Sequence, residues 1–284
     1  MRRVCFLSTD DLEGYTFDDD LAVGPLADLG WQAETVSWRD PAVDWNAFEA
    51  VVIRTTWDYQ RDPELFLSVL GDIDRSSARL ENPLRIVRWN LNKRYLKEME
   101  ERGCPIVPTI WGPDYSHEGF EQWIDRLAVN ELIVKPEVSA TAEHTFRLSS
   151  FDPALQAVFE RRPFLVQPFM PSIVTEGEYS LFYFNGKFSH AINKRPADRD
   201  FRVQEEHGGV ITAVEPDPTL RRAGDAAVGL IGEELLYARV DLVRDRDGFA
   251  LMELELIEPA LYFRMDPRSP YLFAEEFDRR MNEL

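Results

Sequence analysis

A chain of 284 residues with 44% hydrophobic content can bury a substantial core, as one large domain or about two to three small ones. Its 51 acidic residues against 32 basic give a net charge of -19, which repels a phosphate backbone and leaves no basic stripe for nucleic acid or anionic lipid. The start MRRVCFLSTDD carries only a handful of apolar residues, and no apolar run is long enough to cross a bilayer, so a soluble, cytoplasmic protein is expected, with neither nucleic acid nor membrane as partner. Cys5 and Cys104 lie far apart and are expected to be buried free thiols. His117, His144, His190 and His207 give no pair on one helical turn, so zinc is unsupported.

In chain order, the patterns predict a strand near Arg3 to Ser8, a helix ending at Gly30, a strand Ala33 to Trp38 and a strand Ala50 to Arg54. That alternation implies a small parallel sheet. Ligands collect beyond the carboxyl ends of such strands, here Thr9 to Asp11 and the run Arg54, Thr55, Thr56, Trp57, Asp58 and Tyr59. An arginine and two hydroxyls at a strand exit suit a substrate carboxylate; a solvated loop explains them as well. From Asn90 to Arg102 one helix is predicted, with Leu91, Tyr95 and Met99 on one face and Gly103 as its C-cap. Then come a helix Phe120 to Leu127, a strand Leu132 to Lys135, a helix Pro153 to Arg161 and a strand Phe164 to Phe169, which read as a small α+β lid. Strands Tyr179 to Phe184 and Lys187 to Asn193 flank the hairpin signal Asn185-Gly186. A long helix, Leu220 to Leu236, precedes strands Tyr237 to Val243 and Phe249 to Ile257 around the turn Asp245 to Gly248.

Alternation on those last strands carries the clearest chemistry. In MELELI, Met252, Leu254 and Leu256 share one face while Glu253 and Glu255 share the other, and in RVDLV Asp241 lies on the side of Arg239 and Val243. A register that aligns the apolar faces brings Asp241 beside both glutamates, although one bulge would shift it. Like charges facing each other need a cation or open solvent, and a hard divalent ion such as magnesium takes a few carboxylates when nucleotide phosphates complete its shell. From this hairpin alone a metal site and a solvated acidic face both stay open.

No GxGxxG or GxxxxGK[ST] pattern occurs, so phosphates need another cradle. Lys135 ends the apolar strand LIVKP as a point charge at a strand mouth, and the small residues Val138, Ser139, Ala140, Thr141 and Ala142 follow it. A surface lysine is the plain alternative. Lys93 falls in the preceding helix. The strand ending in Gln167, Pro168, Phe169 and Met170 offers a backbone edge and apolar surface, as a ligand slot or as an ordinary buried strand.

The ordered series Lys93, LIVKP, VQPFMP, EGEYS, Arg202, Gly208-Gly209, VD and ELE resembles the ATP-grasp superfamily over the whole chain. It is most similar to the glutathione-synthetase-like group with the ribosomal-protein glutamate ligases, and more loosely to the cyclo-ligase that closes the cycloserine ring. The resemblance implies an α/β and α+β ATP-grasp architecture: a parallel-sheet preATP-grasp domain at 1–88, a linking helix and central lid at 89–169, and an antiparallel-sheet C-terminal domain with the metal site at 170–284. By position, Lys93 and Lys135 match phosphate-contacting lysines, Gln167 to Met170 the adenine hinge, Glu178 or its competitor Glu176 the ribose-binding acid, and Asp241, Glu253 and Glu255 the ligands of one or two magnesium ions. Arg202 and Arg239, with Lys194, match positions facing the transferred phosphate or substrate carboxylate, while KRPADRDFR also reads as an exposed loop. Two features depart from the family. Glu255 stands where asparagine is usual, and the phosphate-covering loop is poorer in glycine.

The implied chemistry is ligation of a small carboxylate to an amine through an acyl phosphate, releasing ADP and phosphate. No Ser, His and Asp set stands at a nucleophile elbow, and none is required. Ring closure or phosphorylation on the same fold is the alternative, and a non-enzymatic nucleotide-binding module the more distant one. A homodimer is compatible with the sequence.

Overall fold

The computed structural model describes residues 1–112, 114–139, 142–198, 200–246 and 248–283. Strands β1 (Arg2–Ser8), β2 (Trp31–Ser37), β3 (Ala50–Thr55) and β4 (Arg79–Glu81) form a parallel sheet in the order β2-β1-β3-β4. Helix α1 (Val23–Asp28) stops before Gly30, whose positive φ of 88° turns the chain into β2. Helix α2 (Pro63–Arg75) lies outside the predicted elements, although its start is legible: Asp62 caps the amide of Leu65 and Pro63 occupies the first turn.

The helix expected over Asn90 to Arg102 begins only at Tyr95: α4 (Tyr95–Glu101) is separated by a break at 91–94 from a further helix outside the predicted elements, α3 (Leu84–Asn90), which ends where the expected one was to start. Two groups at the break are engaged elsewhere. The amide of Lys93 donates to Glu137 O at 2.8 Å, and Asn90 is tied through its side chain to the backbone of Leu254 and Leu256. Lys93 therefore stands in the break and not on a helical turn. Gly103 does close α4, with φ +92°.

A small antiparallel sheet follows, built from β5 (Ile110–Trp111), β6 (Leu132–Pro136), β7 (Phe146–Leu148) and β8 (Phe164–Pro168) in the order β5-β8-β6-β7. Helix α5 (His117–Leu127), capped by Ser116, packs Phe120 and Trp123 against it, and α6 (Gln156–Phe159) is far shorter than its pattern suggested. After α7 (Ser172–Thr175) the chain builds its largest sheet from β9 (Glu178–Phe184), β10 (Lys187–Arg195), β11 (Val210–Ala213), β12 (Tyr237–Asp245) and β13 (Gly248–Glu255), ordered β11-β10-β9-β12-β13. Asn185 and Gly186, both at positive φ, make the β9–β10 turn. Helix α8 (Pro218–Ile231) ends five residues before Leu236, because Gly232 at φ +86° caps it. Helix α9 (Ser269–Asn282) closes the described chain.

Alternation sorts the faces of this sheet. Leu181, Tyr183, Ala238, Val240, Leu242, Leu254 and Leu256 point to one side and bury against α4 and α8. The other side is divided. Phe182, Phe184 and Tyr237 pack on α9 and on Val4, Phe6 and Val52 of the parallel sheet, which covers that half. Further along the same strands this face carries Glu178, Arg239 and Asp241, which line a cleft, and the fully buried Ser180. Among the described residues, no helix is long and apolar enough to cross a membrane.

Candidate active site

The register of β12 and β13 pairs Asp241 with Glu253 and Arg239 with Glu255, so the three carboxylates share one face. A bulge does occur. It falls after the Asp241–Glu253 pair, where Leu242 faces Leu251, so Met252 is the extra residue. Met252 thus leaves the apolar face expected of it and joins the cleft, and Leu251 takes its place in the core. Across the sheet, Lys194 on β10 lies opposite Glu178 on β9, and Asp241 opposite Ser180.

The charges are interlocked. Lys194 pairs with Glu178 and sits 3.5 Å from Asp241, while Arg239 bridges Asp241 at 2.9 Å and Glu255. Ser180 donates to Asp241. Burial works against the Asp241 anion, yet Arg239 and Lys194 hold its carboxyl down at about 2. Arg239 is then already matched by Asp241. Burial, with repulsion from Asp241 and Glu253, outweighs what Arg239 offers Glu255 and pushes that carboxyl up to about 7. Glu253 behaves differently: burial opposes its charge, but Lys93, 3.1 Å away, and Lys135 lower its pKa. Lys93 also donates to Ser139 O at 2.8 Å. Lys135 is 8% exposed and enters no ion pair among the described residues, and burial, with repulsion from Lys93, lowers its pKa against the pull of Glu253 and Glu178.

Most of the sequence candidates meet here. Lys93, Lys135, Gln167, Pro168, Met170, Glu178, Lys194, Arg202, Arg239, Asp241, Glu253 and Glu255 all line one cleft. Val107, Met170, Ile173, Val203 and Met252 form an apolar cluster at its hinge side. Arg202 reaches the cleft but is held by Asp200 at 2.8 Å. Gly209 follows in the same loop, where a Cβ would collide with the Val203 carbonyl, so its close approach is to its own loop. Phe169 is buried beneath the Arg147 guanidinium, 3.6 Å from its ring centre, and Glu176 pairs with Arg244 outside the cleft. Of the two candidate acids in EGEYS, Glu178 is the one in the cleft. Ala140 and Thr141 of the small-residue loop lie outside the described residues.

The strand-exit run needs correction. Arg54 is 1% exposed, bound to Asp19 at 2.8 Å and to Pro259 O at 2.9 Å, so it is not free for a substrate carboxylate. Thr55 donates to Ser8, Thr56 is fully buried, and Asp58 accepts from Trp38 and Arg39. Only Trp57 and Tyr59 of that run line the cleft, joined by Tyr15 and Thr16 from the loop after β1. Also unforeseen were Ser180, Glu258 and Tyr262. Glu258 lies three residues beyond the ELE motif, and burial with repulsion from Glu255 and Glu253 pushes its carboxyl up to about 8.

Among the described residues, no three His, Cys, Asp or Glu side chains form a ready metal cage. The reason is visible: both Asp241 oxygens are taken by Ser180, Arg239 and Lys194, while Glu253 and Glu255 are held by Lys93 and Arg239. An all-oxygen set of this kind fits magnesium, which keeps waters and phosphate oxygens and asks only one or two carboxylates of the protein.

Comparison with known proteins agrees with this geometry. Residues 4–82 match the family described as D-cycloserine synthetase DcsG, N-terminal domain. The cycloserine biosynthesis protein DcsG of Streptomyces lavendulae is 30% identical over 276 residues, covering 89% of this chain and 90% of that protein. The crystal structure of D-cycloserine synthetase DcsG superposes with a TM-score of 0.84 at 27% identity, over 99% of this chain and 100% of that one. D-alanine–D-alanine ligase from Bacillus anthracis, at 14% identity and TM-score 0.69 over 99% and 97%, shares the fold. The chain belongs to the ATP-grasp superfamily, in the DcsG family, and is an ATP-dependent ligase that forms carbon–nitrogen bonds.

Proposed function

We propose that this cleft seats ATP with magnesium and activates a small carboxylate for attack by an amine. The observation that carries the reading is Lys135, a buried cation that enters no ion pair among the described residues, in the same cleft as Lys93 and the acidic strands. On binding, Lys93 exchanges its carboxylate partner for phosphate, and Lys135 takes phosphate as its partner. The apolar hinge side around Met170 and Met252, with the backbone of Gln167 to Phe169, takes the flat base, and Glu178 takes the ribose hydroxyls. Glu253 and Glu255, backed by Asp241, hold one or two magnesium ions. When bound, ATP with magnesium supplies the phosphoryl group that turns the carboxylate into an acyl phosphate. Arg239, Lys194 and Arg202 orient the carboxylate and balance charge as phosphate departs and the amine gives up its proton. In this reading 1–88 is the substrate-side domain, 89–169 the linker and lid, and 170–284 the domain of the metal site. Partners are small molecules, not nucleic acid, and the working compartment is the cytoplasm, where ATP is supplied.

A second reading places amine and carboxylate in one molecule, so that ligation closes a ring. The match of residues 4–82 to the DcsG N-terminal domain favours it, since Tyr15, Thr16, Trp57 and Tyr59 of that segment line the cleft. ADP release with pools of amino acids and small carboxylates, with and without magnesium, tests both. Hydroxylamine traps the acyl phosphate as a hydroxamate when amine is omitted, and product mass separates ring closure from joining. Unchanged turnover and nucleotide affinity in Lys135→Ala and Glu253→Ala would sink the site.

A further inference from the structure

The break between α3 and α4 is gripped from two sides. Its flanking residues hold β13: Asn90 donates to Leu254 O at 2.9 Å and accepts from the Leu256 amide at 3.0 Å, and the Tyr95 hydroxyl accepts from the Leu254 amide at 2.7 Å. Leu254 lies between Glu253 and Glu255, so both ends of the break are fixed beside the acidic strand. From the other side comes the turn after β6. The Lys93 amide donates to Glu137 O and the Lys93 ammonium to Ser139 O, each at 2.8 Å. The Glu137 carboxylate then takes the residues on either side of Lys93: its Oε2 accepts from Arg94 Nε at 2.8 Å and from Asn92 Nδ2 at 3.3 Å.

This grip works against the local preference of the chain. Leu91, Lys93 and Arg94 are good helix formers, and in an uninterrupted helix the Lys93 amide would donate to Trp89 O, four residues back. Glu137 diverts that amide and holds both neighbours. The carboxylate itself is costly to the fold: Glu137 is 2% exposed, and its Oε1 is buried with no partner among the described residues. Arg94, its ionic partner, is half exposed. A half-satisfied buried carboxylate adds little stability for its cost; what it does is fix the segment that carries Lys93.

We infer that Glu137 is a positioning residue for Lys93: its carboxylate clasps Asn92 and Arg94, keeps 91–94 out of the helix, and so holds the Lys93 ammonium in the cleft 3.1 Å from Glu253. The clasp also ties the small sheet to β13, because its two sides belong to different sheets. Its effect on nucleotide rests on the reading of Lys93 as a phosphate contact; its effect on the segment does not.

Two measurements on the full chain test these parts separately: hydrogen–deuterium exchange without ligand, and calorimetric binding of a non-hydrolysable ATP analogue with magnesium. Glu137→Ala leaves the backbone bond to the Lys93 amide and removes the carboxylate alone. It should quicken exchange at 93–96 about fivefold or more, with β9 and β12 unchanged, and weaken the analogue about three- to tenfold. In a Lys93→Ala background the same substitution should change affinity by less than about twofold, as for a residue that acts through Lys93. Glu137→Gln keeps an oxygen for Asn92 and Arg94 and restores most of the affinity. Arg94→Ala gives a smaller shift in the same direction and takes the place of Glu137→Ala if that variant does not fold. Parent-like exchange at 93–96 in the clasp variants, or an equal loss of affinity in both backgrounds, overturns the inference. Quickened exchange with nucleotide binding that is absent in the parent, or indifferent to Lys93→Ala, supports the clasp and counts against Lys93 as a phosphate contact.

Discussion

The run Arg54 to Tyr59 and the strands carrying Asp241, Glu253 and Glu255 are equally dense in polar side chains, and the structure uses them in opposite ways. In the first, the polar groups are consumed inside the protein: Arg54 by Asp19 and Pro259, Thr55 by Ser8, Asp58 by Trp38 and Arg39. In the second, the carboxylates are matched with cations whose ends remain in a cleft, where a ligand can displace them. Both sets are buried and paired. What separates them is whether breaking a pair harms the fold or admits a ligand.

Arg54→Leu should therefore be the costliest change to stability, since it strands the buried Asp19. About 3–5 kcal/mol is expected in urea unfolding, as for other broken buried pairs. A loss below 1 kcal/mol would erase the distinction between the two regions. Lys135→Ala should do the reverse, lowering ATP-dependent turnover by about 100- to 1000-fold while the melting temperature stays constant or rises. A variant that melts early with full activity per folded molecule would assign Lys135 to the fold.

Glu255→Asn sharpens the comparison within the acidic face. Arg239 loses one of two carboxylate partners but keeps Asp241, so turnover should stay within about tenfold of the parent while the magnesium concentration for half-maximal rate shifts. An unchanged magnesium dependence would remove Glu255 from the ligand set. The smallest effect concerns pH. Glu255 and Glu258 are raised from 4.5 to about 7 and about 8, so between those limits the folded protein binds more protons than the unfolded chain. Stability without ligands is thus fully present below about pH 4.5 on this account and falls as pH rises towards 8. Glu258→Gln should flatten the upper part of that fall, read as melting midpoints that shift by about 2–4 °C per kcal/mol.

Much of this was legible beforehand, for local reasons. Alternation identified β12 and β13 and the common face of Asp241, Glu253 and Glu255; Asn185-Gly186 announced a hairpin; and the order of short motifs pointed to the ATP-grasp superfamily, to which the chain belongs. Other boundaries are also written locally: Asp62-Pro63 and Gly232 are ordinary start and stop signals for α2 and α8. Nothing local reveals that the amide of Lys93 is drawn to Glu137, that a bulge turns Met252 outward, or that Arg54 faces Asp19 and not solvent.

The sequence by itself determined which side chains share a face, because a strand's period of two is built into the backbone. It also determined the family, because motif order survives along the chain. Only the tertiary structure decided which polar groups are free to meet a ligand. Pairing partners such as Arg54 and Pro259, or Trp57 and Glu258, stand about 200 residues apart and are joined only when the parallel sheet covers half of the large one.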